Sequence, residues 1–545
     1  MLAPAVVKTK PARYDRYETI ARVATWLVLG AAIIAVLWAR IRLAGLPLER
    51  DEGEYAYGGQ LFLLGISPYK LAYSMKLPGT AAFYALIMAV FGQSIPAIRL
   101  GLALVNVATV GFVFLVGRRV LGELGGIASA ASYSVLSLMP TVLGDAAHAT
   151  HFVVLFSLAG TFVLLRSVDR QSLPLIFTSG LLFGLAFLMK QPGLFFVLFG
   201  SFLSFSRDWV AKLDLKKIVR RNLAFICGAA LPCLLTGFAL WSAGVFGKFW
   251  FWTVTYAMRY GSQVSLGEGL QMFAGHFLGV VGTAWPLWML ALGGAIALIL
   301  DRKLTSNATS LIAFALFSAL AVCPGLYFRP HYFILFLPTV AVLSGAAVAS
   351  AFNILRTKSG NFHLAVLAMF AACLGWPLWL ERDFFFELPL VDANRLVNGT
   401  NPFPESIRIA EFIRAQTNPS DTIAVLGSEP QIYFYAQRLS ATGYIYTYAL
   451  MEPQPYAHQM QEEMIHEIER AQPRFLVFVV MNRSWLADPN SDQTIFKWAN
   501  AYSEMHYEEV GLINIFDSGT QYYFSVRPAG VTPAAEHILI YRRKS

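Results

Sequence analysis

Thr25-Trp-Leu-Val-Leu-Gly-Ala-Ala-Ile-Ile-Ala-Val-Leu-Trp38 is uncharged, and soon after it comes the acidic knot Arg50-Asp51-Glu52-Gly53-Glu54-Tyr55. The first run belongs to a segment, 19–43, of the roughly 20-residue length that crosses a bilayer core. No small-residue cleavage site follows it, so it reads as a retained first span rather than a signal peptide. The knot then lies just past the outer end of that span. In a chain with 14% charged and 56% hydrophobic residues, three carboxylates within four positions at a bilayer surface are costly and point to a functional site. The plain alternative is a solvated loop that caps a helix.

Outward from this stretch, apolar runs of spanning length recur through much of the 545-residue chain, and the mean hydropathy is +0.54. The fold class is therefore a polytopic α-helical membrane protein; the short alternating segments of an outer-membrane barrel are absent. Eleven spans are read, roughly 19–43, 94–117, 123–142, 150–166, 173–189, 192–206, 222–243, 272–300, 307–326, 331–353 and 362–380. Gly79 to Gly92 is apolar but short, and reads as a re-entrant or juxtamembrane helix. The net charge of +9 does not indicate nucleic acid, because no basic stripe is interleaved with aromatics. The basic residues sit in alternate short loops. Lys8, Lys10, Arg13, Arg16 and Arg22 mark the N-terminal side, as do Arg118/Arg119, Arg166/Arg170, Arg207 to Arg221, Arg302/Lys303 and Arg356/Lys358. By the positive-inside rule that side is cytoplasmic, which suits a plasma (inner) membrane with the C-terminus outside. Phe246 to Tyr260, rich in Trp, Phe and Tyr, reads as an interfacial helix in the aromatic belt. Cys227, Cys233, Cys323 and Cys373 lie in or beside apolar runs and read as packing residues without a disulfide framework or metal-ligand spacing.

After Leu380 the composition turns polar. Thr422-Ile-Ala-Val-Leu and Arg474-Phe-Leu-Val-Phe-Val-Val read as buried strands, Gln521 to Arg527 as a later strand, and Ser406 to Ala415 and Gln459 to Ala471 as helices. The expected organisation is a cytoplasmic segment 1–18, a transmembrane domain 19–380 with a first outer loop 44–93, and a C-terminal extracytoplasmic α/β domain 381–545. The unusual polar residues at span ends, among them Asp51, Glu52, Glu54, Lys76, Asp145, His148, His151, Lys190, Arg259, Arg329 and His331, all fall on the outer side. Such pooling suggests a water-accessible cavity equipped to hold a phosphate with cations and to move a proton with a carboxylate.

The order of motifs resembles a known family. After the outer-face Asp51-Glu52 comes a Tyr-rich segment, then Gly65-Ile-Ser-Pro68-Tyr69, Lys76-Leu77-Pro78, Phe91-Gly92 and Arg99. Later come Leu188-Met-Lys190-Gln191-Pro192-Gly193, Pro330-His331-Tyr332-Phe333 with Leu337-Pro338, and Gly427-Ser-Glu429-Pro430-Gln-Ile-Tyr433-Phe-Tyr435. This is similar to the C-type (GT-C), polyprenyl-phosphate-sugar-dependent membrane glycosyltransferases, in particular the lipid A aminoarabinose transferases and protein O-mannosyltransferases. The resemblance implies inverting transfer of a sugar from a polyprenyl-phosphate donor to an acceptor hydroxyl on a glycolipid, polysaccharide or protein at the outer face. It implies Asp51 as the first-loop acid and Asp145 as a second outer-loop acid, and Glu52, next to Asp51, completes the catalytic candidates. Donor phosphate and sugar would be bound by Glu54, Tyr55, Lys76, His148, Lys190, Arg259, Arg329, His331 and Tyr332. Glu54 stands where the aminoarabinose branch has Arg, and Lys76-Leu-Pro replaces Lys-Pro-Pro, which leaves the sugar open. A monophosphate leaving group gives little reason for a metal, so no cofactor is expected, although Asp51, Glu52, Asp145 and His148 could supply ligands. The rival classes are a transporter, which would carry midplane ionisable residues and paired broken helices, and a non-catalytic envelope scaffold.

Overall fold

The apolar runs are helices in the computed structural model, which describes residues 12–300, 305–355 and 362–544. Lys8, Lys10, Arg302, Lys303, Arg356 and Lys358, used in the topology reading, lie outside the described residues, as do the side chains of Arg13 and Arg16. Helix α1 (Ala12–Arg42) enters the bundle. The first outer loop carries α2 (Arg50–Leu63) and the short α3 (Gly79–Phe91). Helix α4 (Ile95–Leu136) is 42 residues long and is broken at Gly122, where φ is 81°. The chain folds back there: a Cβ on Gly126 would meet the Arg118 backbone at 2.6 Å. The two limbs correspond to the spans expected over 94–117 and 123–142.

Next come α5 (Ala149–Arg170), α6 (Leu173–Met189), α7 (Gly193–Val210) and α8 (Leu215–Ser242). Helix α9 (Phe246–Trp250), a π-helical turn (Phe251–Tyr256) and α10 (Ala257–Gly261) form the aromatic segment. The bundle closes with α11 (Leu266–Val281), α12 (Trp285–Leu300), α13 (Thr305–Val322), α14 (Leu337–Leu355) and α15 (Phe362–Leu380). Among the described residues, eight stretches are long and apolar enough to cross a membrane, and Gly79–Phe91, Leu173–Met189 and Ala308–Val322 are shorter. Eleven crossings require α4 to be split at Gly122 and the helices at 173–189 and 308–322 to cross as well. Side chains such as Trp38, Leu198, Leu223 and Leu292 are exposed on the outside of the bundle, as a lipid-facing surface demands.

Small residues set the closest helix approach. A Cβ on Gly180 or Gly184 of α6 would lie 2.1 Å from the Phe225 carbonyl oxygen or 2.2 Å from that of Ala229, both on α8. From the other side, one on Gly228 would lie 2.2 Å from the Phe177 carbonyl oxygen.

Beyond Leu380 lie α16 (Leu390–Asn398), α17 (Phe403–Ala415), α18 (Gln431–Ala436), α19 (Tyr448–Met451), α20 (Ala457–Ala471), α21 (Asn482–Trp485) and α22 (Thr494–His506). They surround a sheet of β1 (Thr422–Leu426), β2 (Leu439–Ser440), β3 (Phe475–Val480), β4 (Tyr507–Phe516), β5 (Gly519–Phe524) and β6 (His537–Arg543) in the order β2-β1-β3-β6-β4-β5. β1 pairs in parallel with β2 and β3, while β6, β4 and β5 run antiparallel. The continuous apolar runs of β1 and β3 are explained by their central position, covered on both faces. The strand expected at 521–527 is instead the 519–524 arm of a hairpin.

The aromatic segment departs from a simple interfacial belt. Trp252 and Tyr256 are buried. Trp252 stacks on Tyr73 at 5.9 Å, and the Tyr256 hydroxyl donates to Glu452 at 2.5 Å. The segment is held between the loop that joins α1 to α4 and the C-terminal domain, while Trp250 is exposed.

Candidate active site

The acidic knot is the first turn of α2. Glu49 caps it, its carboxylate accepting from the backbone N–H groups of Asp51 (2.9 Å) and Glu52 (2.7 Å). The Glu49 N–H donates to Glu52 Oε2 at 3.3 Å, completing a capping box. At about 100° per residue the helix sorts its side chains into three faces. Arg50, Gly53 and Tyr57 meet the C-terminal domain. Asp51, Glu54 and Tyr55 turn toward an open cavity and the loop beside it. Glu52 faces the membrane bundle, where it meets Arg99 and the Ala147 N–H, and Gly59 packs against α3.

That cavity, about 390 Å³, is lined by Asp51, Glu54, Lys76, Lys190, Arg329 and Tyr332, with further residues from the aromatic segment and the C-terminal domain. Six of the residues picked from sequence thus share one chamber. Lys76 Nζ lies 2.8 Å from Asp51 and 2.5 Å from Glu54, and 4.5 Å from the centre of the Tyr55 ring. Tyr446 contributes a second ring to this cage at 5.5 Å, and its hydroxyl donates to Asp51 at 3.5 Å. Burial pushes the Asp51 carboxyl up, but the neighbouring positive charge, chiefly that of Lys76, outweighs it and holds Asp51 well below the usual carboxylate range.

The loop carrying Lys76 is pinned next to the Lys190 turn by backbone proximity. A Cβ on Gly79 would lie 2.4 Å from the Leu188 carbonyl oxygen. Gln191 donates to the Met75 carbonyl at 2.6 Å, and Thr80 to that of Met189 at 2.8 Å. Lys190 sits over the Tyr332 ring at 4.2 Å, and no carboxylate pairs with it among the described residues. Burial lowers its pKa to about 7, with Asp51 opposing the shift. Arg329 receives only tyrosines, its Nη2 donating to the Tyr260 hydroxyl at 3.2 Å and its guanidinium lying over Tyr327.

Behind Asp51, His148 and His331 stack face to face with ring centroids 4.1 Å apart. Burial holds the His148 ring down to about 3, hence neutral. Asp51, His148 and His331 each offer one ligand atom, all within 4.8 Å of one another. A carboxylate oxygen and two neutral imidazole nitrogens are a donor set that fits a divalent cation. His331 replaces Glu52 and Asp145 of the ligands expected from sequence.

Three expected residues lie elsewhere. Glu52 is fully buried, bonded to Arg99 (Nη2 at 2.9 Å) and to the Ala147 N–H at 2.6 Å. It ties α2 to the bundle and does not line the cavity, because one step along a helix turns it away from Asp51. Asp145 lies behind this pair, its carbonyl accepting from Arg99 at 2.8 Å. Arg259 is exposed on α10 and does not line the cavity. The sequence reading did not pick Glu49, Tyr446, Tyr448 or Glu452. Tyr446 meets Asp51 across 395 positions, and no local pattern marks it among the chain's 23 tyrosines.

Residues 75–231 match the profile of the dolichyl-phosphate-mannose-protein mannosyltransferase family. No curated protein sequence matches the chain. ArnT from Cupriavidus metallidurans in the apo state is similar in structure, with a TM-score of 0.56 at 15% identity over 95% of this chain and 97% of that one. The same protein bound to undecaprenyl phosphate gives 0.56 at 14% identity over 95% and 98%. The Archaeoglobus fulgidus oligosaccharyltransferase tethered to an acceptor peptide gives 0.52 at 12% identity over 93% of this chain and 75% of that one. At such identities the likeness shows the fold. This is a multi-pass helical membrane protein resembling the C-type glycosyltransferases, with a C-terminal α/β domain.

Proposed function

We propose that the protein is an inverting glycosyltransferase that moves a sugar from a polyprenyl-phosphate donor to an acceptor hydroxyl at the outer face of the membrane. The observation that carries this reading is one cavity holding an ionised carboxylate, Asp51, together with two cations, Lys190 and Arg329, that no carboxylate pairs with among the described residues. The acceptor hydroxyl attacks the anomeric carbon as Asp51 takes its proton. The anomeric C–O bond to phosphate breaks, and the polyprenyl phosphate leaves with its negative charge held by Lys190 and Arg329. Lys76, expected to hold phosphate, is already neutralised by Asp51 and Glu54; its role here is to keep Asp51 ionised. Val254, Ala257 and Met258 provide an apolar wall of the same cavity, suited to the lipid end of the donor. The undecaprenyl phosphate bound to the structurally similar ArnT supports this class of donor.

The reading assigns Asp51 to the acceptor proton and routes no step through a metal. The test is turnover of a panel of radiolabelled polyprenyl-phosphate sugars by purified protein, with cell-envelope extract as acceptor. Wild type is expected to transfer or release sugar from one donor. Asp51→Asn should lower kcat by about 10²–10⁴-fold while the protein stays folded, and chelator should leave turnover unchanged. Loss of turnover with chelator, restored by a divalent ion, would reassign Asp51, His148 and His331 to a metal. No turnover from any donor would favour a scaffold or transporter.

A further inference from the structure

Glu429 belongs to the Gly427-Ser-Glu429-Pro430 turn of the C-terminal domain; it does not line the cavity and is fully buried. Its Oε1 accepts from Arg50 Nη2 at 2.9 Å, and its Oε2 accepts from the Ser484 hydroxyl at 2.5 Å. The rest of the Arg50 guanidinium is also used by this domain. Nε donates to the Ser428 carbonyl at 2.6 Å, Nη1 to the Tyr448 hydroxyl at 2.9 Å and Nη2 to Asn401 at 3.3 Å. Arg50 immediately precedes Asp51 on α2. The same face of α2 touches the domain twice more. A Cβ on Gly53 would lie 2.6 Å from the Gln431 nitrogen, and the Tyr57 hydroxyl accepts from the Ser440 N–H at 2.8 Å.

A single solvated ion pair contributes little. This one is buried, and all three guanidinium nitrogens of Arg50 are bonded within the C-terminal domain, so it fixes geometry as well as charge. We propose that Glu429 is a positioning residue: through Arg50 it sets the rotation of α2 that turns Asp51 into the cavity, making the C-terminal domain part of the catalytic apparatus. This rests on the transferase reading above. The donor phosphate site is formed by Lys190 and Arg329, on other loops. Loss of the Glu429 charge therefore misplaces the base and leaves donor binding in place.

The measurement is donor KM and kcat for Glu429→Gln and Glu429→Asp, using the labelled polyprenyl-phosphate sugar that wild type turns over. A displacement of about 1 Å at a reacting group costs about 10²-fold in rate. Glu429→Gln should lose that much in kcat at unchanged donor KM, and Glu429→Asp should recover most of it. Unchanged kcat, or kcat and KM moving together with no recovery in Glu429→Asp, overturns the proposal while leaving the transferase reading standing. Should Glu429→Gln fail to fold, Arg50→Lys carries the same test, since it keeps the charge and loses the three-nitrogen bonding of the guanidinium to the domain. Absence of wild-type turnover overturns the transferase reading itself, and the proposal with it.

Discussion

Lys190 lines the cavity with no carboxylate partner among the described residues. Burial brings its pKa to about 7, so its charge is present below that pH and lost above it. If it holds the donor phosphate, donor KM should be low at pH 6 and rise several-fold by pH 8. Lys190→Arg, charged throughout this range, should flatten the profile. Initial rates against donor concentration at several pH values test this; an identical rise in Lys190→Arg would remove Lys190 from the phosphate site. The residue was visible in the sequence because a lysine in a Lys-Gln-Pro turn between two apolar runs is conspicuous. Its distinction from Lys76 was not visible. Both are lysines at outer span ends, and only the fold shows that Asp51 and Glu54 neutralise one of them. Glu52 was misjudged for a related reason: adjacency in sequence places residues about 100° apart on a helix.

Among the elements, hydropathic runs revealed most of the helices, and unbroken apolar strands revealed β1 and β3, because those signals follow directly from burial. What the runs do not encode is how helices approach one another. The contact between α6 and α8 depends on Gly180, Gly184 and Gly228, whose missing side chains let backbones touch. Gly184→Ala should therefore destabilise the detergent-solubilised protein by about 1–3 kcal/mol, the usual range for overpacking. Gly111→Ala in α4, with no neighbouring heavy atom within 4 Å of the added Cβ, should not. Thermal unfolding of the two variants side by side tests this; equal melting temperatures would show that α6 and α8 accommodate the methyl by sliding. In the C-terminal domain the strands β4 and β6 were also missed, while β5 was anticipated with shifted bounds. β4 carries the exposed Glu508 and Glu509 near its start, β6 alternates buried and part-buried residues, and β6 joins the sheet only through partners distant in sequence.

For the whole molecule, the helix order places the cavity and the basic turns at opposite ends. Helix α5 begins beside His148 and ends at Arg170; α6 starts just after and ends at Lys190; α7 runs back from Gly193 to Val210, next to the turn containing Lys212, Lys216 and Lys217. Each passage that leaves the cavity arrives at positive charge, and the C-terminal domain closes over the cavity end through Arg50, Tyr73 and Tyr256. The positive-inside rule then predicts that the cavity and the domain face outward together. This can be read in a variant lacking Cys227, Cys233, Cys323 and Cys373 that carries one new cysteine. In intact cells a membrane-impermeant thiol reagent should label Asp517→Cys, at the tip of the β4–β5 hairpin. It should label Lys216→Cys only after the membrane is permeabilised. Labelling of both positions from outside would break the link between charge and orientation. Labelling of Lys216→Cys alone would turn the cavity to the cytoplasm, where the donor sugar would have to be presented on the inner leaflet.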